Sequence, residues 1–284
     1  PVIREVCPQA LAYLAVGLVG EGSECLGYDD DISRDHDWGP KFCIWLDDEA
    51  MALYGEILSR VYQAMPDEFM GYSRIKPGAQ SADREGVIRT DVFYSRFLGR
   101  TSVPLSLMDW MELNEEGVSA ATNGEVFYDG NGRFTRIRNQ LLCYYPEDVR
   151  RKKLSGRCAK AAQSGQYNYT RCLRRGDRTA ALQALAEFTI HIQAALYLLN
   201  RKYRPYYKWT NRMLRELGPE EARIASDLDA LTEGDLTMKA EEIERISGRL
   251  IEALRRQGMT DSHSSFLLDH GAIIQSGIAD EQIR

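Results

Sequence analysis

The hydrophobic rhythm of this chain changes once, near residue 145, and that change constrains the fold more than any other feature. Before it, short apolar runs alternate with glycine-rich breaks and a single helical stripe. After Pro146 nearly every stretch carries helical spacing. The expected fold class is therefore α+β: a small mixed-sheet domain over residues 1–145, followed by an all-α helical bundle domain over residues 146–284. A chain of 284 residues is long enough for two such cores.

Tyr13 to Val19 (YLAVGLV) stops at Gly20 and Gly22 and predicts a buried strand. The segment from Ser33 to Asp48 predicts a second, with Phe42 to Leu46 (FCIWL) as its apolar part. Asp47 and Asp48 then cap a helix from Glu49 to Met65, with Met51, Leu53, Ile57, Val61 and Tyr62 on one stripe and Pro66 at its end. Arg74 to Glu85 is polar and predicts an exposed loop. Val87 to Phe97 predicts a third strand and Glu125 to Tyr128 a fourth, followed by a hairpin-like turn at Asp129–Gly132. In the second half, helices are expected at Pro146–Ser164, Tyr167–Arg175, Arg178–Asn200, Lys208–Leu217, Pro219–Leu231, Leu236–Gln257 and Ser262–Ile278. Leu182, Leu185, Phe188, Ile192, Leu196 and Leu199 form a core stripe.

Charge and composition exclude several classes. A net charge of −6 repels long polyanions, so nucleic acid is disfavoured as a partner while small phosphate-bearing ligands are not. No run reaches the about 18 apolar residues of a membrane span, so no membrane partner is expected. The six cysteines share no metal-ligand spacing and read as mostly buried, reduced thiols, which suits a cytoplasmic protein. The four histidines are scattered, against a structural zinc site.

The chemistry concentrates in Gly22 to Pro40, GSECLGYDDDISRDHDWGP. A Gly-Ser pair follows an apolar strand, and an eleven-residue spacer separates it from Asp35-His36-Asp37. If Asp35 and Asp37 lie on a strand, they share one face about 7 Å apart. Paired carboxylates of that kind hold Mg²⁺ (or Mn²⁺), which takes oxygen ligands and shares them with substrate phosphates. Gly22 lets backbone approach a triphosphate, and the Ser23 hydroxyl donates to a phosphate oxygen. Asp29, Asp30 and Asp31 read as solvated loop charge, His36 as a packed histidine and Arg34 as the partner of a nearby Asp.

This arrangement resembles the polymerase-beta-like nucleotidyltransferase superfamily, in which Gly-Ser, a spacer of roughly ten residues and Asp-x-Asp form the signature; kanamycin and streptomycin nucleotidyltransferases carry a helical C-terminal domain as well. Together with RKYRPYYKW (Arg201–Trp209), the longer motif is similar to a bacterial family of nucleotidyltransferase-like proteins over most of the chain. The resemblance implies a nucleotidyltransferase domain that moves a nucleoside monophosphate from ATP or another NTP to a hydroxyl of a small molecule or protein. It also implies a third carboxylate on a later strand. Asp91, inside VIRTDVFY, is the nearest candidate, with Glu112 and Glu125 as fallbacks. Without a third acid, the alternative is a catalytically weak nucleotide-binding sensor on the same fold.

In the helical half, basic residues alternate with aromatics around Pro205, a helix breaker. Lys208, Tyr206 and Arg204 are the nucleotide-binding candidates there, neutralising phosphate or stacking on a base. The alternative is a helix end whose cations complement the dipole and whose rings pack in the core. Arg150 to Lys153, with Arg171, Arg174 and Arg175, reads as a solvated basic face.

Overall fold

The computed structural model describes residues 2–35, 38–74 and 84–284, the side chains of Arg34 and Asp35 excepted. The chain divides into two compact units: Pro1–Val103 with Leu113–Cys143, and Pro104–Glu112 with Tyr144–Arg284. The fold class is α+β, a small mixed sheet followed by helices.

In the first unit, a short helix α1 (Val2–Val6) leads to strand β1 (Leu14–Leu18). Then come β2 (Cys43–Leu46), α2 (Asp48–Gln63), a small hairpin of β3 (Glu68–Phe69) and β4 (Tyr72–Ser73), and β5 (Gly86–Arg89). Helices α3 (Thr90–Leu98) and α5 (Glu115–Thr122), strand β6 (Glu125–Asp129) and α6 (Arg133–Leu142) complete it; α4 (Leu107–Glu112) belongs to the second unit. The sheet order is β5-β2-β1-β6. β1 runs antiparallel to both β2 and β6, while β2 and β5 are parallel.

Every residue of β2 is buried, because both faces of the sheet are covered. Alternation sends Ile44 and Leu46 into one cluster with Leu14, Leu58 and Tyr62. Trp45 points the other way and stacks on Phe134 at 3.9 Å, with Phe93 edge-on at 5.3 Å. Against Trp45 the sheet accepts only glycine at position 17: a Cβ there would meet the Glu125 carbonyl at 2.5 Å and the indole at 3.0 Å, beside a bulge in the β1–β6 register.

Several local expectations change. The third strand stops at Arg89, because Phe93, Tyr94, Phe97 and Leu98 are buried with helical rather than alternating spacing. Asp129–Gly132 opens a helix instead of a hairpin: Asp129 accepts from the Thr135 amide and Asn131 from the Arg133 amide, satisfying the first turn of α6. Asp47 caps α2 through the Ala50 amide, as its position implied. The buried stripe of α2 is Ala50, Gly55, Leu58 and Tyr62, leaving Leu53 exposed.

The second unit is built around α9 (Arg178–Leu199), which packs against α7 (Glu147–Ala161) and a π-helical stretch, Ala162–Tyr169. Gly165 admits this packing, since a Cβ there would lie 2.3 Å from the Phe188 ring. By length and composition α9 could cross a membrane, but 67% of its apolar window is buried against its neighbours. Leu182, placed in the core stripe by spacing, is exposed. Around these helices lie α8 (Thr170–Arg174), α10 (Tyr207–Leu217), α11 (Pro219–Ala230), α12 (Ala240–Arg256) and α13 (Leu267–Ser276).

The basic run at 150–153 is used internally. Arg150, 2% exposed, donates to Glu147 at 2.8 and 3.0 Å and to the Leu198 carbonyl at 3.3 Å, closing the end of α9. Burial works to raise the Glu147 carboxyl, but its bonds to Arg150 and Arg201 outweigh that and hold it below its ordinary value. Lys152 donates to the Arg284 carbonyl and Lys153 to that of Met111.

His191 is buried in α9, with Arg157 against Nδ1 at 3.3 Å and Glu187 against Nε2 at 3.1 Å. Burial, then the Arg157 charge, lowers its pKa to about 4. The unfolded chain, with an imidazole near 6.5, binds this proton more readily than the native one. Native stability should therefore fall as pH drops from about 6.5 to about 4, by up to about 3 kcal/mol from this group. Urea titrations at pH 7 and pH 5 check it: His191→Gln should lose less stability between them than the wild type. Trp45→Ala should cost about 3–5 kcal/mol and Trp45→Phe much less, by the same assay at pH 7.

Candidate functional site

The β1–β2 connection carries the chemistry-bearing motif, and the register fixes where it begins and ends. Gly17 pairs with Cys43, so β1 leaves the sheet at the end where β2 enters. β5 also begins there, with Gly86 opposite Cys43, as does β6, with Glu125 opposite Leu18. Four strand ends thus surround one edge of the sheet.

Asn123, just before β6, fastens the exit of β1: it accepts from the Gly20 amide at 2.9 Å and donates to the Gly20 carbonyl at 2.6 Å. Gly22 then caps a 3-10 turn, Ser23–Leu26, in extended conformation. The Ser23 hydroxyl donates to Asp29 at 2.6 Å. Glu24 folds back over Gly22, so that a Cβ on Gly22 would lie 2.0 Å from both carboxylate oxygens. Lys41 reaches the same carboxylate at 2.9 Å, with both side chains mostly shielded from solvent. A lysine ammonium therefore stands beside the Gly-Ser bend. Sequence reasoning passed over it, although it follows directly on the motif that ends at Pro40.

The acidic run is more structured than solvated loop charge. Besides the Ser23–Asp29 bond, Asp30 accepts from the amides of Ile32 and Ser33 at 3.0 and 2.9 Å, capping a second 3-10 turn, Ile32–Asp35. Asp35 is the last residue of that turn and not part of a strand, because β2 begins only at Cys43, after Gly39 and Pro40. The strand-repeat spacing expected for Asp35 and Asp37 thus does not apply to Asp35, while Asp37 and His36 lie outside the described residues. Among the described residues, no three His, Cys, Asp or Glu side chains form a metal-binding group.

Other charges stand at the same sheet end. Arg96 donates to Glu21 at 2.5 Å, and Arg84 lies 3.7 Å from the same carboxylate. Glu85, immediately before β5, is buried and accepts from the Tyr62 hydroxyl at 2.6 Å. Burial, then the Glu85 bond, pushes the Tyr62 phenol above its ordinary range. The Cys43 thiol, donating to the Arg84 carbonyl, is pushed up to about 12, first by burial and then by the Glu85 charge. It is a packed thiol and not a nucleophile. Glu125 is exposed at this end.

Asp91 is elsewhere. It occupies the first turn of α3, just past Arg89, which pairs with Leu46 at the opposite end of the sheet. Arg89 clasps its carboxylate at 2.8 and 3.1 Å and also reaches Asp48 at 2.7 Å. The reason is the early stop of β5, which turns the chain into a helix before Asp91. Glu112 ends α4, in the second unit.

Arg204, Tyr206 and Lys208 also belong to the second unit. Tyr203 and Pro205 are buried, with Tyr203 against Tyr144 and Tyr145 at 4.8 and 5.1 Å. These anchors turn the next residues outward. Tyr206 and Tyr207 are exposed with rings 4.4 Å apart, and Lys208 lies over Trp209 at 5.6 Å. Arg204 is half-buried.

Residues 110–210 match a family described as a domain of unknown function (DUF4037). That match covers less than half of the chain; it includes Arg204, Tyr206 and Lys208 and leaves out Gly22–Asp37. A nucleotidyltransferase-like protein from Exiguobacterium sibiricum 255-15 is similar in structure, with a TM-score of 0.40 and 14% identity over 96% of this chain and 87% of that one. A likeness at that TM-score carries no argument about what this chain does. No curated protein matches.

The Asn123 clamp gives this site a test. Asn123→Ala removes both bonds to Gly20 and should cost about 1–3 kcal/mol in chemical denaturation. Asn123→Asp, which keeps the acceptor but sets a carboxylate oxygen against the Gly20 carbonyl, should cost at least as much at neutral pH.

Proposed function

We propose that this chain is a Mg²⁺-dependent nucleotidyltransferase. The observation that carries the reading is the Gly22–Ser23 bend at one end of the sheet with the Lys41 ammonium held beside it by Glu24, inside the same β1–β2 connection whose sequence carries Asp35 and Asp37. Asp35 and Asp37 would hold the cation, and their hard oxygen donors fit Mg²⁺ or Mn²⁺. When bound, that ion neutralises the phosphates and stabilises charge on the leaving pyrophosphate.

The chain's own groups do the rest. Gly22 and the turn that follows would offer backbone amides to a polyphosphate once the Glu24 carboxylate that covers Gly22 swings away. Ser23 exchanges its bond to Asp29 for one to a phosphate oxygen. Lys41, drawn from Glu24, supplies a positive charge at the same place. The acceptor hydroxyl forms its bond to the α-phosphorus as the bond to pyrophosphate breaks, and its proton passes to a nearby carboxylate. Glu85 and Glu125 are the candidates at this end of the sheet, and Asp91 has no part in it. Arg204, Tyr206 and Lys208 belong to the second unit and take no step in this scheme. The donor is ATP or another NTP; the acceptor is a small hydroxylated molecule or a protein side chain, since a net charge of −6 disfavours nucleic acid. Six free thiols fit a cytoplasmic location.

A second reading, nucleotide sensing without turnover, gains from the place of Asp91. If neither Glu85 nor Glu125 takes the proton, the site binds and does not transfer. Pyrophosphate release from radiolabelled ATP with candidate acceptors separates the two. The transferase reading expects release that falls about a hundredfold or more in Asp35→Asn and in Asp37→Asn with the fold intact, and more mildly in Lys41→Met. Normal release by Asp35→Asn and Asp37→Asn would overturn it.

A further inference from the structure

The small hairpin after α2 has no role in the reaction described, yet it presents large apolar side chains to solvent. Phe69 is 64% exposed and Met70 81%, in a chain whose other aromatics are mostly packed. Phe69 and Tyr72 pair directly across the two strands, so their rings stand on the same face, while Glu68 and Ser73 take the other. The turn between them holds Met70 at φ 52° and Gly71 at φ 83°, the positive values that match a two-residue turn to the strand twist. The hairpin is fixed from below: the Arg74 amide donates to the Asp67 carbonyl at 2.8 Å, and its guanidinium covers the Tyr62 ring at 4.2 Å and donates to the Tyr62 carbonyl.

What gives this face a direction is Trp38. Its ring meets Tyr72 edge-on, with centroids 5.1 Å apart and planes at 82°. Trp38 directly follows Asp37 in the chain, so the aromatic face begins one residue from the acidic pair. In a nucleoside triphosphate the ribose separates the base from the phosphates, so a base-binding surface belongs beside the phosphate site and not within it. We propose that Trp38, Phe69 and Tyr72 form the platform on which the nucleobase of the triphosphate stacks. Rings without a set of polar readers accept any base, because every base has a π-face. This assignment rests on the proposed nucleotide site, and its test keeps the two apart.

Calorimetric titrations of Mg²⁺-ATP and Mg²⁺-tripolyphosphate into the wild type and into Phe69→Ala/Tyr72→Ala separate base from phosphates. The wild type should bind ATP about tenfold or more tightly than tripolyphosphate. The variant should lose that advantage, with tripolyphosphate affinity and thermal unfolding unchanged. Equal binding of the two ligands by the wild type, or full ATP affinity in the variant, would overturn the platform. If the wild type binds no tripolyphosphate, the phosphate site fails; adenosine alone then decides, its binding lost in the variant supporting the platform and no adenosine binding at all refuting it. Should the double variant unfold, Phe69→Ala alone, at an exposed side chain, carries the same comparison.

Discussion

The antiparallel pairing of β1 with β2 is the constraint on which the first unit depends. Its register, from Leu14 opposite Leu46 to Gly17 opposite Cys43, fixes the start and finish of the connection that carries every residue of the Gly-Ser and acidic motif. The same pairing buries Ile44 against α2 and Trp45 against Phe134. A one-residue slip would exchange those faces and present Trp45 to the wrong layer. Core packing and site placement therefore share one set of hydrogen bonds.

Charge at this sheet end is arranged in pairs. Glu21 takes Arg96 and Arg84, Glu24 takes Lys41, and Asp29 and Asp30 take hydroxyl and amide donors. Such pairs hold anions and cations close without a ligand, and under the proposed function an incoming polyphosphate would compete for the cations against carboxylates already in place. The exchange keeps basic groups near the bend while the chain as a whole is acidic.

Much of the fold was legible where punctuation was strong. Asp47 marks the start of α2, Asp177 that of α9 and Pro219 that of α11, each by capping or by the fixed backbone of proline. The four sheet strands appear as apolar runs broken by glycine. Signals failed where local composition and tertiary packing disagreed. VIRTDVFYSRF is rich in β-formers throughout, yet its burial turns helical at Thr90 because the face beneath Trp45 needs Phe93 and Phe97. Arg150 looks like surface charge and is buried, since a carbonyl and a carboxylate wait for it. The Phe69–Tyr72 hairpin is too short to show any alternation. At the site, Gly22 and Ser23 were legible from their position after a strand. The turn at Asp35 was not, because Asp30 is solvent-exposed and caps that turn as well, through a local bond that composition does not reveal.

The central claim is that Asp35 and Asp37 hold a divalent cation against the Gly22–Ser23 bend. Electron paramagnetic resonance of Mn²⁺, titrated with a non-hydrolysable ATP analogue and the protein, reads the cation directly and needs no acceptor. The account predicts a protein-dependent loss of the free Mn²⁺ signal beyond the loss that the nucleotide analogue causes alone, and about a hundredfold weaker protein binding in Asp35→Asn/Asp37→Asn. Equal Mn²⁺ binding by that variant and the wild type would contradict it.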